Sequence, residues 1–441
     1  MFDAGLRADQ QGQTSVSQGG RGYAVAAGIL GWTLDAFDFF VVVFLVDTLA
    51  KHFVVGKSAI ILTIGAALAM RPAGALLFGM LADRYGRRMP LMAVVAYFSL
   101  IELLSGFALN YPMFLVLRAL YGIGMGGFWG VGASMTLESA PTRWRGVLSG
   151  LLQGGYPLGY LLAAVAARVI LPEWGWRPMF WAGMLPAIVT MYVAYKSPES
   201  EAWRQNQASS LGEIFQVVWK HRKSFTALVV TLTLMIFLSH GTQDLYPDFL
   251  KSAHGIAPDV VAYLAMIYNV GAILGAISVG HASERLGRRG SIITSLTLCL
   301  LMIPAWAFGH SFVILAVGAF LMQVGVQGTW GVIPIHLNEL SPNSVRSLFP
   351  GLVYQLGVLF GSPANSIEYA LRDCFGYGWA LAIFEGATIV ALMIVFALGP
   401  EKKGRSFLRQ QSRTPDVAAS RPTSVVWHAV RPMGTGGAVL V

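Results

Sequence analysis

Charge is scarce in this chain: Asp, Glu, Lys and Arg together make up 12% of its 441 residues, where a soluble globular chain carries roughly a quarter. Cysteine is scarcer still. The two present, Cys299 and Cys374, lie in or near apolar stretches and form neither a disulfide framework nor a metal-ligand spacing. Nucleophile triads, metal-binding clusters and phosphate-cradling loops are also missing. The glycine-rich run near Gly122 sits inside an apolar stretch and suits helix packing instead. These absences argue against a soluble enzyme, a metalloprotein and a redox scaffold. The net charge of +9 is no nucleic-acid signature, because the basic residues fall in short loops on one side. No cleavable signal peptide is evident: polar Met1 to Arg21 leads straight into a long apolar run, so the first helix is expected to stay as an anchor.

What the chain does have is long hydrophobic runs, with 55% hydrophobic residues overall. They come in blocks of about twenty residues, the length that crosses ~30 Å of hydrocarbon. Amphipathic spacing does not break them, so an all-α membrane protein follows. Twelve spans are predicted, near 22–46, 58–81, 89–108, 112–135, 146–169, 178–196, 225–248, 258–281, 290–309, 312–335, 346–370 and 377–399. The expected organisation is an N-terminal segment 1–21, a six-helix bundle 22–196, a polar central loop 197–224, a second bundle 225–399 and a disordered tail 400–441. Basic residues concentrate on one side, which by the positive-inside rule puts the N-terminal segment, the central loop and the tail in the cytoplasm of an inner-membrane protein.

The two bundles repeat each other at a constant offset of 201 residues. Gly79, Arg84, Gly86, Arg87 and Arg88 correspond to Gly280, Arg285, Gly287, Arg288 and Arg289, with Asp83 answered by Glu284. At the same offset Gly127, Trp129, Gly130 and Val131 correspond to Gly328, Trp330, Gly331 and Val332, and Glu138, Pro141 and Arg145 to Glu339, Pro342 and Arg346. Two parallel six-helix halves with a transport site between them near mid-membrane are therefore expected.

The loop Gly79-Met-Leu-Ala-Asp83-Arg84-Tyr-Gly86-Arg87-Arg88 resembles the signature loop of the major facilitator superfamily, G-x-L-a-D-r-x-G-r-r. Its second copy ends in Glu284, Arg288 and Arg289. The resemblance implies the twelve-helix, two-half major facilitator fold. Asp83 is placed to accept hydrogen bonds from a neighbouring helix N-terminus and to pair across the seam between halves. Asp83, Arg84, Arg87, Arg88, Glu138, Arg145, Glu284, Arg288, Glu339 and Arg346 are read as gating or structural charges rather than substrate ligands.

Within the spans, Asp35 and Asp38 are three apart and share a helix face. Carboxylates at such depth need a cavity, a cation or a proton. They are candidates for proton coupling, or else structural acids bonded to a neighbouring helix. Two cations lie deep. Arg118, in Arg118-Ala-Leu-Tyr-Gly122, resembles the R-x-x-x-G motif of the superfamily's fourth helix, and its planar fork suits an acidic substrate or Asp38. Arg71, nearer the middle of span 2, is a ligand candidate or a structural cation.

Span 7 ends Ser239-His240-Gly241-Thr242-Gln243-Asp244. The run resembles the S/T-H-x-S/T-Q-D segment of lactate/pyruvate–proton symporters within the sialate:proton symporter family, and departs from it at Ile236 and Asp248. Carried over, the resemblance assigns carboxylate and proton handling to His240, Gln243 and Asp244, and a polar substrate contact to Gln355. His240 and Asp244 are four apart, a titratable pair on one face. Glu102 and Glu385 fall in spans read as peripheral and are not expected at the site. The expectation is a transporter and not an enzyme: a proton-coupled symporter of a small monocarboxylate, with proton as the coupling ion and neither cofactor nor metal. It would work in lipid as a monomer, without nucleic acid. The alternatives are a symporter of sialate, a dicarboxylate or an aromatic acid, and a drug/proton antiporter.

Overall fold

The computed structural model describes residues 2–208 and 210–408. Among them, eleven helices are long and apolar enough to cross a membrane: Gly20–Phe44, Lys57–Tyr85, Arg88–Ser105, Tyr111–Ser139, Thr142–Trp174, Arg177–Lys196, Arg222–Ser252, Pro258–Leu286, Arg288–Phe308, Phe312–Leu340 and Tyr377–Leu398. We number these spans 1–10 and 12. Span 11 is broken into Leu348–Gly361 and Ala364–Phe375. The break falls at Ser362-Pro363, where proline lacks a donor and its ring clashes with the preceding turn. Span 7 is also interrupted, between Gln243 and Tyr246. Large apolar side chains such as Leu62, Val165, Ile188 and Leu301 stay exposed along the outer flanks, as a lipid-facing surface requires.

The halves meet where spans 5 and 8, and spans 2 and 11, cross near the ends that carry the basic loops, here termed the basic face. Glycines permit the approach. Gly146 and Gly280 lie backbone to backbone, so that a Cβ on either would overlap the other's carbonyl oxygen. Replacing Gly146 with leucine is expected to push spans 5 and 8 apart and raise labelling of a cysteine placed at Ala276. Unchanged labelling would show that the seam yields elsewhere. Both signature loops turn through glycines at positive φ, Gly86 at 109° and Gly287 at 85°, a region that penalises any Cβ. At the first turn Glu199 accepts hydrogen bonds from the Arg87 and Arg88 amides at 2.7 and 3.2 Å. At the second, Glu401 accepts one from the Arg289 amide at 2.9 Å.

A charge network seals this face. Asp83 accepts from the Ser347 and Leu348 amides at 3.0 and 2.9 Å, at the start of span 11, and pairs with Arg87 at 2.5 Å. Arg87 also forks onto Glu138 at 3.2 and 3.0 Å, and Glu138 reaches Arg346 of the other half at 3.4 Å. Burial would pull the Arg87 guanidinium down, but Glu138 and Asp83 hold it above its ordinary value. In the second copy Arg288 binds Glu339 at 3.0 and 3.1 Å and Glu284 at 3.1 Å, while Glu284 accepts from the Gly146 amide. Arg84 and Arg88 turn to carbonyls of Ala208 and Tyr195 and do not cross the seam between spans.

Among the described residues no carboxylate is hydrogen bonded to Arg145; it donates to the Arg405 carbonyl at 3.0 Å. Residues 400–408, expected as the start of a disordered tail, instead pack on the basic face. Phe407 is buried between the guanidiniums of Arg145 and Arg346, 3.7 and 4.1 Å from its ring centroid. These cation–π contacts add to the hydrogen bonds by which Gly404 and Arg405 donate to Glu339, Ser341 and Asn343. The rest of the tail, 409–441, lies outside the described residues.

Candidate functional site

Opposite the basic face, the halves enclose a polar region at mid-span. Its centre is Arg71, which span 2 presents just ahead of Pro72. The side chain is only 4% exposed, and its Nε and Nη2 find no hydrogen-bond partner among the described residues. It lies 5.8 Å from the centroid of the Tyr354 ring. Trp129 stacks on the same ring at 4.4 Å and Trp32 meets it edge-on at 6.4 Å. Both indole N–H groups are buried without acceptors. Four unpartnered donor atoms thus surround one tyrosine. Buried donors in folded proteins are almost always satisfied, so a concentration of exceptions marks a place where an anionic acceptor fits.

Around this centre, Gln355 donates to the Gly126 carbonyl at 3.2 Å and leaves its Oε1 unpartnered, as is the Gln153 Oε1. Toward the opposite face, His240 Nδ1 bonds Asp244 at 2.7 Å, and Asn365 donates to the same carboxylate oxygen at 2.9 Å. These side chains are 40% and 36% exposed for His240 and Asp244. Both lie on span 7, and this exposure makes them the accessible end of the polar region. Gln243 turns aside and donates to Gln323 at 2.7 Å, which in turn donates to Thr242 at 3.1 Å. The breaks in spans 7 and 11 therefore face each other across the Asp244–Asn365 bond.

The second assembly lies inside the N-terminal half. Asp35 and Asp38 are fully buried, and none of their four carboxyl oxygens has a hydrogen-bond partner among the described residues. Asp35 lies within electrostatic reach of Arg71, and Asp38 within reach of Arg118 and Glu102. Arg118 is spoken for: it binds Glu102 at 2.6 Å and Ser105 at 2.5 Å, with its Cζ 4.6 Å from the Tyr121 ring centroid and 5.4 Å from that of Phe180. Tyr121 in turn donates to the Asp35 carbonyl at 2.9 Å. Beside Arg118 a cavity of about 10 Å³, lined by Phe39, Val42, Ile64, Ala67 and Tyr121, has room for a single water.

Profile comparison matches residues 28–243 to the Major Facilitator Superfamily and 258–402 to the Sugar (and other) transporter family. The chain is 31% identical to a probable 4-methylmuconolactone transporter of Cupriavidus pinatubonensis over 85% of its own length and 89% of the relative's. It is 30% identical to a carboxylic acid transporter protein homolog of Saccharomyces cerevisiae, over 85% of its own length and 67% of the relative's. The chain belongs to the major facilitator superfamily. The proton:xylose symporter XylE shares its fold with a TM-score of 0.73 at 19% identity, over 89% of this chain and 98% of that one.

In this superfamily member Asp38, Arg118 and His240 do not share one cavity. Asp38 and Arg118 belong to the buried N-terminal assembly, and His240 to the accessible C-terminal one. Arg118, a candidate substrate ligand from the sequence, is closed off from the central region by its own ion pair. Glu102, set aside as peripheral, is its partner. Spans 3 and 4 form an antiparallel hairpin, and the two residues stand only sixteen apart across it; matching their depths would have revealed the pair. Trp32, Trp129 and Tyr354 were also missed. Apolar spans are rich in aromatics, and no local pattern tells a wall of the site from core.

Breaking a buried pair leaves an uncompensated charge, at a cost of about 3–5 kcal/mol. Arg118→Ala is therefore expected to lower the unfolding temperature clearly, with Glu102→Gln added in the same chain recovering much of the loss. A single variant as stable as the parent would contradict this assignment.

Proposed function

We propose that the protein is a proton-coupled symporter that carries a small organic carboxylate across the inner membrane by alternating access. The reading rests on one observation above all: a buried guanidinium with unpartnered Nε and Nη2, flanked by two indole N–H donors without acceptors, midway along the spans. Arg71 holds the carboxylate, and Trp32, Trp129 and Tyr354 wall its carbon skeleton. Asp35 competes for Arg71 when ionised and releases it when protonated, which ties substrate binding to a proton. Asp38 shares that buried environment, while His240 and Asp244 take up protons at the accessible edge. Gln355 supplies a polar contact, while Gln243, bonded to Gln323, ties span 7 to span 10.

With the basic face closed by Asp83, Arg87, Glu138 and Arg346, the described state is open to the other side, which the positive-inside rule assigns to the exterior. Neutralising the buried charges favours closure there and opening of the seam. The working unit is one chain in lipid, with the proton as coupling ion and no cofactor.

Lactate and pyruvate, the smallest substrates the span 7 resemblance implies, are the first candidates. A planar unsaturated or aromatic acid is the second, favoured by the stacked Trp129–Tyr354 wall and by the muconolactone named for one relative. Competition decides between them. Proteoliposomes with an inward proton gradient should accumulate labelled lactate. If lactate enters and excess benzoate or muconate leaves its uptake intact, the monocarboxylate reading stands; if these acids block uptake or enter in its place, the planar-acid reading does. Failure of every organic acid to enter would contradict both.

A further inference from the structure

Two acids in the C-terminal half have no part in that reading. Glu368, on the second segment of span 11, and Glu385, on span 12, are both completely buried, and all four of their carboxyl oxygens lack a hydrogen-bond partner among the described residues. They lie close enough to interact electrostatically with each other, and Glu368 also with Asp244. Span 12 packs against spans 7 and 9 and the second segment of span 11. Of the titratable groups on those elements, the ones within electrostatic reach of the two glutamates are Asp244 from span 7 and Cys299 from span 9, with His240 beside Asp244. No lysine or arginine among the described residues is paired with either glutamate.

A carboxyl in a membrane interior without cation or donor is tolerated only as the neutral acid. The placement adds a second constraint. The Glu385 carboxyl lies flush against Gly241, where a Cβ would overlap its Oε1 and the Phe384 ring. Gly241 adjoins His240 in sequence and stands three residues before the break in span 7. The neutral pair therefore sits directly behind the titratable pair that faces the cavity.

We propose that Glu368 and Glu385 form a second proton-binding site, in the C-terminal half, loaded from the open cavity through His240 and Asp244. A proton from water on that side is taken up at the His240–Asp244 pair and passes to a Glu368 oxygen, then to Glu385. Only N–H and O–H bonds are made and broken. Loss of the proton would set a negative charge against the backbone of span 7 beside its break, so occupancy of this site is linked to the position of span 7. The inference rests on the proton-coupled reading above, and it adds a proton carrier separate from Asp35 and Asp38.

The test is infrared difference spectroscopy of the full chain in lipid, stepped between about pH 5 and pH 9, with Glu385→Gln and Glu368→Gln as variants. Glutamine matches the neutral acid in shape, and the two variants check each other. The carbonyl-stretch band of a protonated carboxylic acid should be present at low pH, disappear as pH rises, and lose intensity in each variant. In proteoliposomes each variant should carry fewer protons per substrate than the parent. Unaltered band intensity in both variants would overturn the proposal. So would a glutamate band that persists across the whole range with the proton-to-substrate ratio unchanged, since the acids would then be permanently neutral. A titrating glutamate band in a parent whose uptake ignores the proton gradient would leave the binding site standing and overturn the coupling reading.

Discussion

Arg71→Gln is expected to weaken carboxylate binding by roughly two orders of magnitude. Truncating one member of a buried charge pair costs about 2–5 kcal/mol, and each ~1.4 kcal/mol is tenfold in affinity. Nothing nearby compensates. Arg118 is occupied by Glu102, and the remaining donors, the indoles of Trp32 and Trp129, carry no charge. Arg71→Lys keeps the charge but loses the planar fork, so it should fall between parent and glutamine variant. Quenching of tryptophan fluorescence by titrated substrate reads this directly, because Trp129 and Trp32 adjoin the Tyr354 ring. Equal affinity in parent and Arg71→Gln would remove Arg71 from the site.

The second large effect concerns the seam. Asp83→Asn keeps the side-chain shape but removes the charge that binds Arg87 and the two amides opening span 11. All these groups are buried, so the loss should cost the closed basic face about 3–5 kcal/mol. A shift of ~3 kcal/mol is over a hundredfold in a two-state equilibrium. The population should move toward the form open on the basic face. Spin labels at Arg143→Cys and Arg285→Cys, exposed positions on opposite halves of that face, should report longer distances in Asp83→Asn than in the parent. An unchanged distance distribution would mean that Glu138–Arg346 and the Phe407 segment hold the face without Asp83.

Much of the architecture was legible because a membrane imposes it. Span length, the 201-residue repeat and the duplicated loop at Gly79 and Gly280 all report constraints that act locally on sequence. The breaks were less so. Pro363 hinted at one in span 11, but Asp244-Leu245 carries no breaker of its own, and Pro247 acts from two residues beyond. Individual residues of the site were legible where polarity inside an apolar run is costly, as at Asp35, Asp38, Arg71, Arg118, His240 and Asp244.

What each of them touches was not legible, because partnership depends on which helix faces turn inward. The planar fork of Arg118 suits an acidic substrate or Asp38, yet the hairpin geometry gives it to Glu102. Glu385 stood out no more than Glu102 did, and only the packing of Gly241 against its carboxyl distinguishes it from a peripheral acid. Phe407 was hidden for another reason: a polar, basic tail looks disordered until the two guanidiniums that hold this ring are brought together by the fold.

Uptake of a labelled carboxylate into proteoliposomes, with the proton gradient inward or absent, tests the central claim most directly when parent and Arg71→Gln are compared side by side. The account predicts accumulation by the parent only under the gradient, its collapse on adding a protonophore, and no accumulation by the variant although it remains folded. Uptake that ignores the gradient, or a variant that accumulates substrate as well as the parent, would contradict it.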